Sequence, residues 1–434
     1  MSQVKASILP GFIELLPEEQ VLFNHLKDTI EETYKKAGFY PLDTPVLEKK
    51  EVLLAKGGGE TEKQVYELTK GKTDMAMRFD LTVPLARYVA QHYNDLSFPF
   101  RRYHIAKVYR GERNQRGRYR EFYQCDIDIV GDEHLGLSND AEVLFMIYQV
   151  FTALGLKDIT IHVNHRKVLS GFFKALGMED LTEVLRILDK YDKIGWEAVK
   201  DQLRDLGSTE DQEEKIYDFI NLSGTNAEKL EALETLVDMN EDLRKGLDEL
   251  REILDLAQAF GVDEDYLHLD LKIARGLDYY TGVVFETTLN GHEQIGSVCS
   301  GGRYDHLAKH YSKKDLPGVG MSIGLSRLFY QLQEENLIRL EKKGPCQALI
   351  LPMEGFIKEA ISLSRDLREA GISAFVYGEQ AKMKKMFKYA DGIHVPYVLI
   401  LGEEEVKNGS VSLRNMATGA QDQVPVDQVA DAIK

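Results

Sequence analysis

The stretch that decides the fold is residues 98–131, FPFRRYHIAKVYRGERNQRGRYREFYQCDIDIVG. Its first part is rich in β-branched and aromatic residues, its middle is polar and contains glycine, and its last part alternates polar and apolar side chains. These features predict two strands, over residues 103–109 and 122–130, joined by a loop over residues 112–117. The stretch therefore predicts a β-hairpin.

The hairpin carries an unusual charge pattern. Residues 101–120 contain eight Lys or Arg residues against one acid, Glu112, a local charge of about +7 in a protein of net charge -17. The second strand alternates with period two, and one of its faces is formed by Phe122, Gln124, Asp126 and Asp128. A solvated charged hairpin is the ordinary alternative. Carboxylates on a strand face beside guanidinium groups that match phosphate oxygens instead favour a site for a phosphorylated, zwitterionic ligand.

Length and composition are those of a globular protein with several domains. The 434 residues predict about three domains, and 43% hydrophobic with 29% charged residues is typical of soluble chains. No apolar run reaches the length of a membrane span, and the N-terminus lacks a basic region followed by an apolar core. We therefore expect a cytoplasmic protein with no membrane partner.

Cysteine and histidine spacing gives no metal-site motif. The three cysteines, at positions 125, 299 and 346, are widely spaced, which predicts reduced thiols. Histidine pairs at 162 and 165 and at 306 and 310 have possible ligand spacing, but no metalloprotease glutamate or cysteine pair flanks them. We therefore expect no dedicated metal site.

The segment VYRGERNQRGRYREFYQCDIDIVG, residues 108–131, resembles the second signature motif of class II aminoacyl-tRNA synthetases. The form of the motif is the one that histidyl-tRNA synthetases carry. The resemblance implies an α+β catalytic domain built on an antiparallel sheet, with a helical insertion and a C-terminal α/β domain similar to an anticodon-binding domain.

Two upstream segments are similar to other parts of the same family. A helix is predicted over residues 17–37, and the extended segment 39–47, broken by two prolines, resembles the first signature motif, which builds the family's dimer interface. The tripeptide Asp80-Leu81-Thr82 follows a predicted strand, where Asp80 could simply cap the next helix. In the family this tripeptide is part of the histidine-binding site, which implies that Asp80 holds the α-ammonium group.

Two downstream segments extend the resemblance. The string RGLDYYTG, residues 275–282, is similar to a signature of histidyl-tRNA synthetases, although adjacent tyrosines are usually packing residues. There the arginine is a catalytic cation near the α-phosphate, and the tyrosines line the histidine pocket. The segment GVGMSIGLSRLFYQL, residues 318–332, does not fit the dinucleotide-binding fingerprint. Its glycines, at positions 318, 320 and 324, would let the backbone approach a ligand closely. The segment resembles the third class II motif, whose arginine, here Arg327, lies over the adenine of ATP.

Composition divides the chain into regions. Residues 166–264 contain 13 basic and 25 acidic residues, and their pattern predicts helices with turns at four glycines, Gly177, Gly195, Gly207 and Gly224. This acidic segment lies where the family carries its insertion domain, inside a catalytic core of residues 1–165 and 265–335. Alternating strands and helices over residues 345–434 predict a small, mostly parallel α/β domain, which resembles the family's anticodon-binding domain.

The resemblance implies a homodimeric histidine–tRNA ligase. Histidine would react with ATP, carried with Mg²⁺, and the histidyl-adenylate would be transferred to the 3′ end of tRNA(His). The implied site residues are Arg110 and Arg275 for catalysis; Asp80, Thr82, Gln124, Asp128, Tyr279 and Tyr280 for L-histidine; Arg110, Glu112, Arg118, Arg275 and Arg327 for ATP; and Arg113 and Gln115 for the tRNA acceptor end.

Two other classes of protein remain as alternatives. A non-catalytic family member that regulates a phosphoribosyltransferase would bind histidine without forming an adenylate. Such relatives lack an anticodon-binding domain, whereas this sequence is predicted to contain one. A synthetase-like sensor of uncharged tRNA would carry a kinase domain, and no segment of that length or pattern is visible.

Overall fold

The computed structural model describes residues 4–55, 62–113, 117–273, 280–338 and 344–433, apart from the side chains of Glu62 and Asp192. The chain divides into two compact units. The larger consists of Met1–Glu14 and Val21–Ile338, and the smaller of Leu15–Gln20 and Arg339–Lys434.

The larger unit is built on strands of which eight form one sheet. The strands are β1 (Tyr40–Pro41), β2 (Leu47–Lys49), β3 (Glu67–Lys70), β4 (Thr73–Met77), β5 (Phe100–Tyr109), β6 (Glu121–Val130), β7 (Ile159–His165), β8 (Leu267–Leu269), β9 (Val283–Leu289), β10 (Cys299–Tyr304) and β11 (Gly318–Ile323). The helices over the same part of the chain are α1 (Pro17–Lys36), α2 (Lys50–Leu53), α3 (Thr82–Gln91), α4 (Ser138–Ala153), α5 (Arg166–Ala175), α6 (Leu181–Leu188), α7 (Tyr191–Asp205), α8 (Glu210–Ile220), α9 (Asn226–Glu234), α10 (Glu241–Phe260) and α11 (Leu325–Glu334).

The large sheet has the order β1-β5-β6-β11-β10-β9-β7-β8. The β1–β5 and β7–β8 pairs at its two ends run parallel, and the pairs between them run antiparallel. The predicted catalytic fold, an α+β domain on an antiparallel sheet, is therefore confirmed. A second, antiparallel sheet has the order β2-β4-β3.

The predicted hairpin is confirmed and is longer than expected. Strands β5 and β6 pair from Phe100 opposite Val130 to Tyr109 opposite Glu121. The apolar face of β6 packs on α1, where the rings of Phe23 and Tyr123 lie 5.4 Å apart and aromatic area is removed from water. The opposite face of β6 is therefore left to the interior of the catalytic domain, where it meets other polar groups.

The segment 166–264 is helical, as predicted, and contains α5 to α10. Each of its four predicted turn glycines has a positive φ, between 76° and 108°, a conformation that side chains with a Cβ disfavour. Gly195 differs from the other three because it lies inside α7, where the backbone leaves helical geometry and kinks the helix.

The smaller unit contains a five-stranded sheet with the order β13-β12-β14-β15-β16. Its elements are β12 (Ala348–Pro352), β13 (Ala374–Val376), β14 (Tyr397–Leu401), β15 (Ser410–Asn415), β16 (Gln421–Pro425), α12 (Ile357–Glu369), α13 (Met383–Gly392), α14 (Glu403–Asn408) and α15 (Val429–Ile433). The α/β class is confirmed, but the prediction of a mostly parallel sheet was wrong. The hairpin β15–β16, turned at the positive-φ Gly419, adds two antiparallel pairings.

None of the helices within the described ranges is both long enough and apolar enough to cross a membrane.

Candidate active site

The polar face of β6 opens into a cavity of about 410 Å³ in the larger unit. Nine of the residues predicted for the site line this cavity: Asp80, Thr82, Arg110, Glu112, Arg118, Gln124, Asp128, Tyr280 and Arg327. They come from the hairpin, from the junction before α3, from the segment before β9 and from α11. Sequence segments far apart in the chain thus meet in one place.

Of the other four predicted residues only Arg113 is described, and it is not among the described residues that line the cavity. Arg275, Tyr279 and Gln115 lie outside the described residues. Arg113 is described and exposed, in the loop after β5.

Asp128 is held by two partners at the base of the cavity. Its Oδ2 lies 2.6 Å from Nη2 of Arg102, and the hydroxyl of Tyr304 donates to its Oδ1 at 2.7 Å. Arg102 has no exposed side-chain area and also donates to the carbonyl oxygen of Leu81, at 3.1 Å. A charged carboxylate at this depth depends on such contacts, because burial without them would be costly.

Glycines on β11 make room for this arrangement. Gly320 lies opposite Asp128, and a Cβ on it would come within 2.3 Å of Asp128 Oδ1. A Cβ on Gly318 would come within 2.4 Å of the Tyr304 ring. The sequence suggested that these glycines let the backbone approach a ligand. In the structure they let two side chains of the cavity wall take their positions.

Asp80 both caps a helix and keeps an oxygen open. Its Oδ1 accepts a hydrogen bond from the backbone N–H of Val83 at 3.1 Å, which is the capping role that the sequence offered as the ordinary interpretation. Its Oδ2 is buried and has no hydrogen-bond partner among the described residues. The two interpretations of Asp80 are therefore compatible. Thr82, the first residue of α3, lines the cavity beside it.

Gln124 and Asp126 share a bridging hydroxyl on β11. Gln124 Nε2 donates to Ser322 Oγ at 2.6 Å, and the Ser322 side chain hydrogen-bonds to the Asp126 carboxyl group. Gln124 Oε1 and Asp126 Oδ1 are buried and unpartnered within the described part of the chain. This face of β6 therefore presents acceptor oxygens to the cavity.

Burial raises the pKa of three aspartate carboxyl groups in the cavity wall above the usual range. Burial raises the pKa of Asp80 to about 6 and that of Asp128 to about 6. Burial also raises the pKa of Asp126 to about 7, while Arg102 lowers it and the neighbouring Asp128 raises it. One buried guanidinium thus faces three buried carboxyl groups, which favours a cationic ligand.

Arginines line another part of the cavity. Arg110 donates from Nε to the carbonyl oxygen of Phe79 at 3.0 Å, and its guanidinium carbon lies 5.1 Å from the centre of the Phe122 ring. Arg118 lies 3.8 Å from the carboxylate of Glu112, and Arg327 donates to the carbonyl oxygen of Ile295 at 2.7 Å. Guanidinium groups held in this way suit phosphate oxygens and a nucleobase face.

Several residues of the wall were not in the predicted set. Asp126 and Phe122 were placed on the right face of β6 by alternation but were given no role, and both line the cavity. Tyr304, which also lines the cavity, and Arg102, which does not, could not be found from the sequence, because their role depends on contact with Asp128 across the sheet.

Carboxylates that line the cavity could contact a metal ion carried by a ligand. Glu112 and Glu286 are both in its wall. Within the described ranges, no group of three or more His, Cys, Asp or Glu side chains is arranged to hold a metal ion by itself.

Comparison with known proteins gives consistent results over the whole chain. Residues 11–328 match the family model for histidyl-tRNA synthetase, and residues 347–434 match that for an anticodon binding domain. Histidine–tRNA ligases of Clostridium tetani and Finegoldia magna are 53% and 47% identical to this chain, covering 99% of it and 98% and 100% of their own lengths. The crystal structure of histidyl-tRNA synthetase from Nostoc sp. PCC 7120 superimposes with a TM-score of 0.90 at 37% identity, covering 99% of both chains. The chain belongs to the histidyl-tRNA synthetase family.

Proposed function

We propose that the protein is a histidine–tRNA ligase, which activates L-histidine with ATP and transfers it to the 3′ end of tRNA(His). The observation that carries the proposal is the cavity on β6, where buried acceptor oxygens and guanidinium groups line one space in a chain of this family. An amino acid is a cation at its ammonium group and an anion at its carboxylate. Such a cavity can therefore bind both the amino acid and a nucleotide phosphate.

The acidic part of the cavity is proposed to bind histidine. Asp80, Thr82 and Gln124 are proposed to bind the end of the substrate that carries the ammonium and carboxylate groups. Asp128 and Tyr280 serve the imidazole ring, together with Tyr279, which lies outside the described residues. Both oxygens of Asp128 already have a partner, but each carboxylate oxygen offers two lone-pair sites and can accept a further N–H.

The arginine-lined part is proposed to bind ATP with its Mg²⁺. Arg110 and Arg118 are placed for phosphate oxygens and Arg327 for the adenine face, with Arg275 as a further cation near the α-phosphate. Glu112 is an oxygen ligand of the kind that Mg²⁺ accepts beside nucleotide phosphates. Magnesium would neutralise phosphate charge, as it does in phosphoryl transfer generally.

The proposed reaction has two chemical steps, each a nucleophilic substitution. A carboxylate oxygen of histidine attacks the α-phosphorus, the bond to the bridging oxygen breaks, and pyrophosphate leaves with its electron pair. The 3′-terminal hydroxyl of the tRNA then attacks the carbonyl carbon of the adenylate, AMP leaves with the electron pair of the broken bond, and the hydroxyl proton is released to solvent. Negative charge builds on phosphate oxygens in the first step, so Arg110 and Arg275 contribute chiefly by positioning and charge stabilisation.

Domain roles and partners complete the proposal. Residues 1–165 and 265–335 form the catalytic core, 166–264 an acidic insertion, and 345–434 an anticodon-binding domain. The segment 39–47 contributes to a homodimer interface, and Arg113 and Gln115 contact the tRNA acceptor end. Because charged tRNA is consumed by translation, the expected location is the cytoplasm.

Histidine-dependent exchange of labelled pyrophosphate into ATP tests the function. The ligase should exchange label with histidine and not with other amino acids, because a pocket built on buried hydrogen bonds rejects analogues that lack the ring nitrogens. A histidine-binding regulatory relative would bind histidine and give no exchange. Histidine binding by calorimetry without exchange would therefore replace the proposal by that alternative.

A further inference from the structure

Three buried acceptor oxygens in the cavity have no hydrogen-bond partner among the described residues. They are Asp80 Oδ2, Gln124 Oε1 and Asp126 Oδ1, and all three side chains line the same cavity. The residues are at least nine-tenths buried, with exposed fractions of 2%, 8% and 2%. Because an unpaired buried acceptor is costly, three of them in one wall indicate a ligand that donates hydrogen bonds.

We infer that Asp126 is a further substrate-binding residue, whose Oδ1 joins Asp80 Oδ2 and Gln124 Oε1 in accepting the three N–H bonds of the substrate's α-ammonium group. The inference deepens the proposed function, since it rests on an amino acid being the ligand of this cavity. It adds a residue to those expected from the family resemblance.

The number of acceptors matches the chemistry of the ligand. A primary ammonium carries three N–H donors and no acceptor, so full satisfaction requires three oxygens. Asp80 and Gln124 provide two of them. Asp126 Oδ1 is the third unpartnered oxygen, and the ionised form of this carboxyl group supplies the negative charge that favours an ammonium group.

The positions of Gln124 and Asp126 on β6 support their binding of one common group. Gln124 and Asp126 are two residues apart on one face of β6, which places their Cα atoms about 7 Å apart and lets their side chains converge on one small group. Ser322 joins them, because it accepts from Gln124 Nε2 at 2.6 Å and hydrogen-bonds to the Asp126 carboxyl group. This contact fixes one oxygen of Asp126 and leaves Oδ1 for a ligand.

The balance of charge around Asp126 favours a further cation. Asp126 interacts with the charges of Arg102, Asp128 and Asp80, of which Arg102 alone is positive. Arg102 contacts Asp128 and the carbonyl oxygen of Leu81 through Nη2, and its Nε and Nη1 are buried donors with no hydrogen-bond partner among the described residues. The charges of Arg110 and Arg102 also act on Asp80. Asp80 Oδ2 and Asp126 Oδ1 nevertheless have no hydrogen-bond partner among the described residues, and an ammonium group between them would be a direct, oppositely charged partner for both.

A pair of ligands that differ in one group provides the test. Histidinol keeps the imidazole ring and the amine, whereas 3-(imidazol-4-yl)propan-1-ol keeps the ring and the hydroxyl but lacks the amine. Binding of both is measured by calorimetry with the wild-type protein and with Asp126→Asn. Asp74→Asn, which removes an exposed carboxylate on β4, is the matched control for the change in net charge.

The expected result is specific to the amine. Asp126→Asn should weaken histidinol binding by roughly 10- to 100-fold, the loss expected for a hydrogen bond to a charged group, and should change binding of the amine-free analogue by less than about threefold. Asp74→Asn should leave both affinities unchanged. An equal loss for both ligands, or no loss for histidinol, would overturn the inference.

Two further measurements keep the test decisive. If Asp126→Asn shows no cooperative thermal transition, a crystal structure of the wild-type protein with histidinol replaces it, and the amine nitrogen should lie about 3 Å from Asp126 Oδ1. A separation above about 4 Å would refute the contact. Failure of the wild-type protein to catalyse histidine-dependent exchange would instead refute the proposed function, so the two failures are distinguishable.

Discussion

Replacement of Tyr304 by Phe should change the pH dependence of histidine use. The hydroxyl of Tyr304 donates to Asp128 Oδ1 at 2.7 Å, and the residue is only 4% exposed. The substitution Tyr304→Phe removes this donor while the ring, which packs against Gly318, keeps its volume. Asp128 keeps its contact with Arg102, so the carboxylate loses one of its two stabilising partners.

The size of the effect follows from the pKa of Asp128, which burial raises to about 6 while Arg102 and the Tyr304 hydroxyl lower it. A hydrogen bond to a charged group contributes about 1.5–3 kcal/mol, which corresponds to an increase of about 1–2 pKa units when it is removed. With the pKa near 7–8, about 10–50% of Asp128 would be ionised at pH 7, against about 90% in the wild-type protein.

Histidine-dependent pyrophosphate exchange at saturating ATP, measured from pH 6 to 9.5, provides the assay. If ionised Asp128 orients the ring, kcat/KM for histidine should fall about 2- to 10-fold at pH 7, about 5- to 50-fold at pH 6, and little at pH 9. Titration of the substrate cancels, because both proteins are compared at the same pH. A loss that is the same at every pH would mean that Tyr304 acts through packing, and the assignment of Asp128 would fail.

Three further substitutions test the remaining assignments. Arg275→Ala should lower the rate of adenylate formation by roughly two to three orders of magnitude with histidine affinity nearly unchanged, and wild-type exchange rates would exclude Arg275 from catalysis. Asp128→Asn keeps the shape of the side chain and should weaken histidine binding more than ATP binding; calorimetry with unchanged histidine affinity would leave Asp128 a structural role. Arg113 is proposed to read the extra 5′ guanosine that distinguishes histidine tRNA, so Arg113→Ala should preserve exchange and reduce aminoacylation, with much of the loss absent on a transcript without that guanosine. Equal losses on both transcripts would indicate a contact with the tRNA backbone.

Local pattern in the sequence was sufficient to find the strand that carries the site. Alternation along residues 122–130 put the polar side chains on one face, and these side chains do line the cavity. The positive-φ glycines of the helical segment were likewise visible, because glycine is preferred where the backbone turns in that way. Both signals are local, so no knowledge of tertiary contacts was needed.

Contacts between side chains on different strands could not be predicted from the sequence. Arg102 was counted with the other cations of the hairpin, but in the structure it lies fully buried against Asp128 instead of facing a phosphate. Gly320 was expected to let the backbone approach a ligand, but the atom nearest to the position of its missing Cβ is an Asp128 oxygen. In the smaller unit the hairpin β15–β16 was missed, because β16 is polar and largely exposed, which weakens the hydrophobic signal.

The order of side chains along β6 gives a physical reason for the orientation that a bound amino acid would take in the cavity. On one face the strand presents Asp128, Asp126 and Gln124 in turn, and then Phe122, over whose ring the Arg110 guanidinium lies. The strand rises about 3.3 Å per residue, so the side chains along this face change from acidic to basic over about 20 Å. Cationic groups of a zwitterion are favoured at the acidic end and its carboxylate at the basic end. That orientation directs the nucleophilic carboxylate toward the guanidinium groups, where the α-phosphate of ATP is proposed to bind, so one strand can both select the substrate and align it for attack.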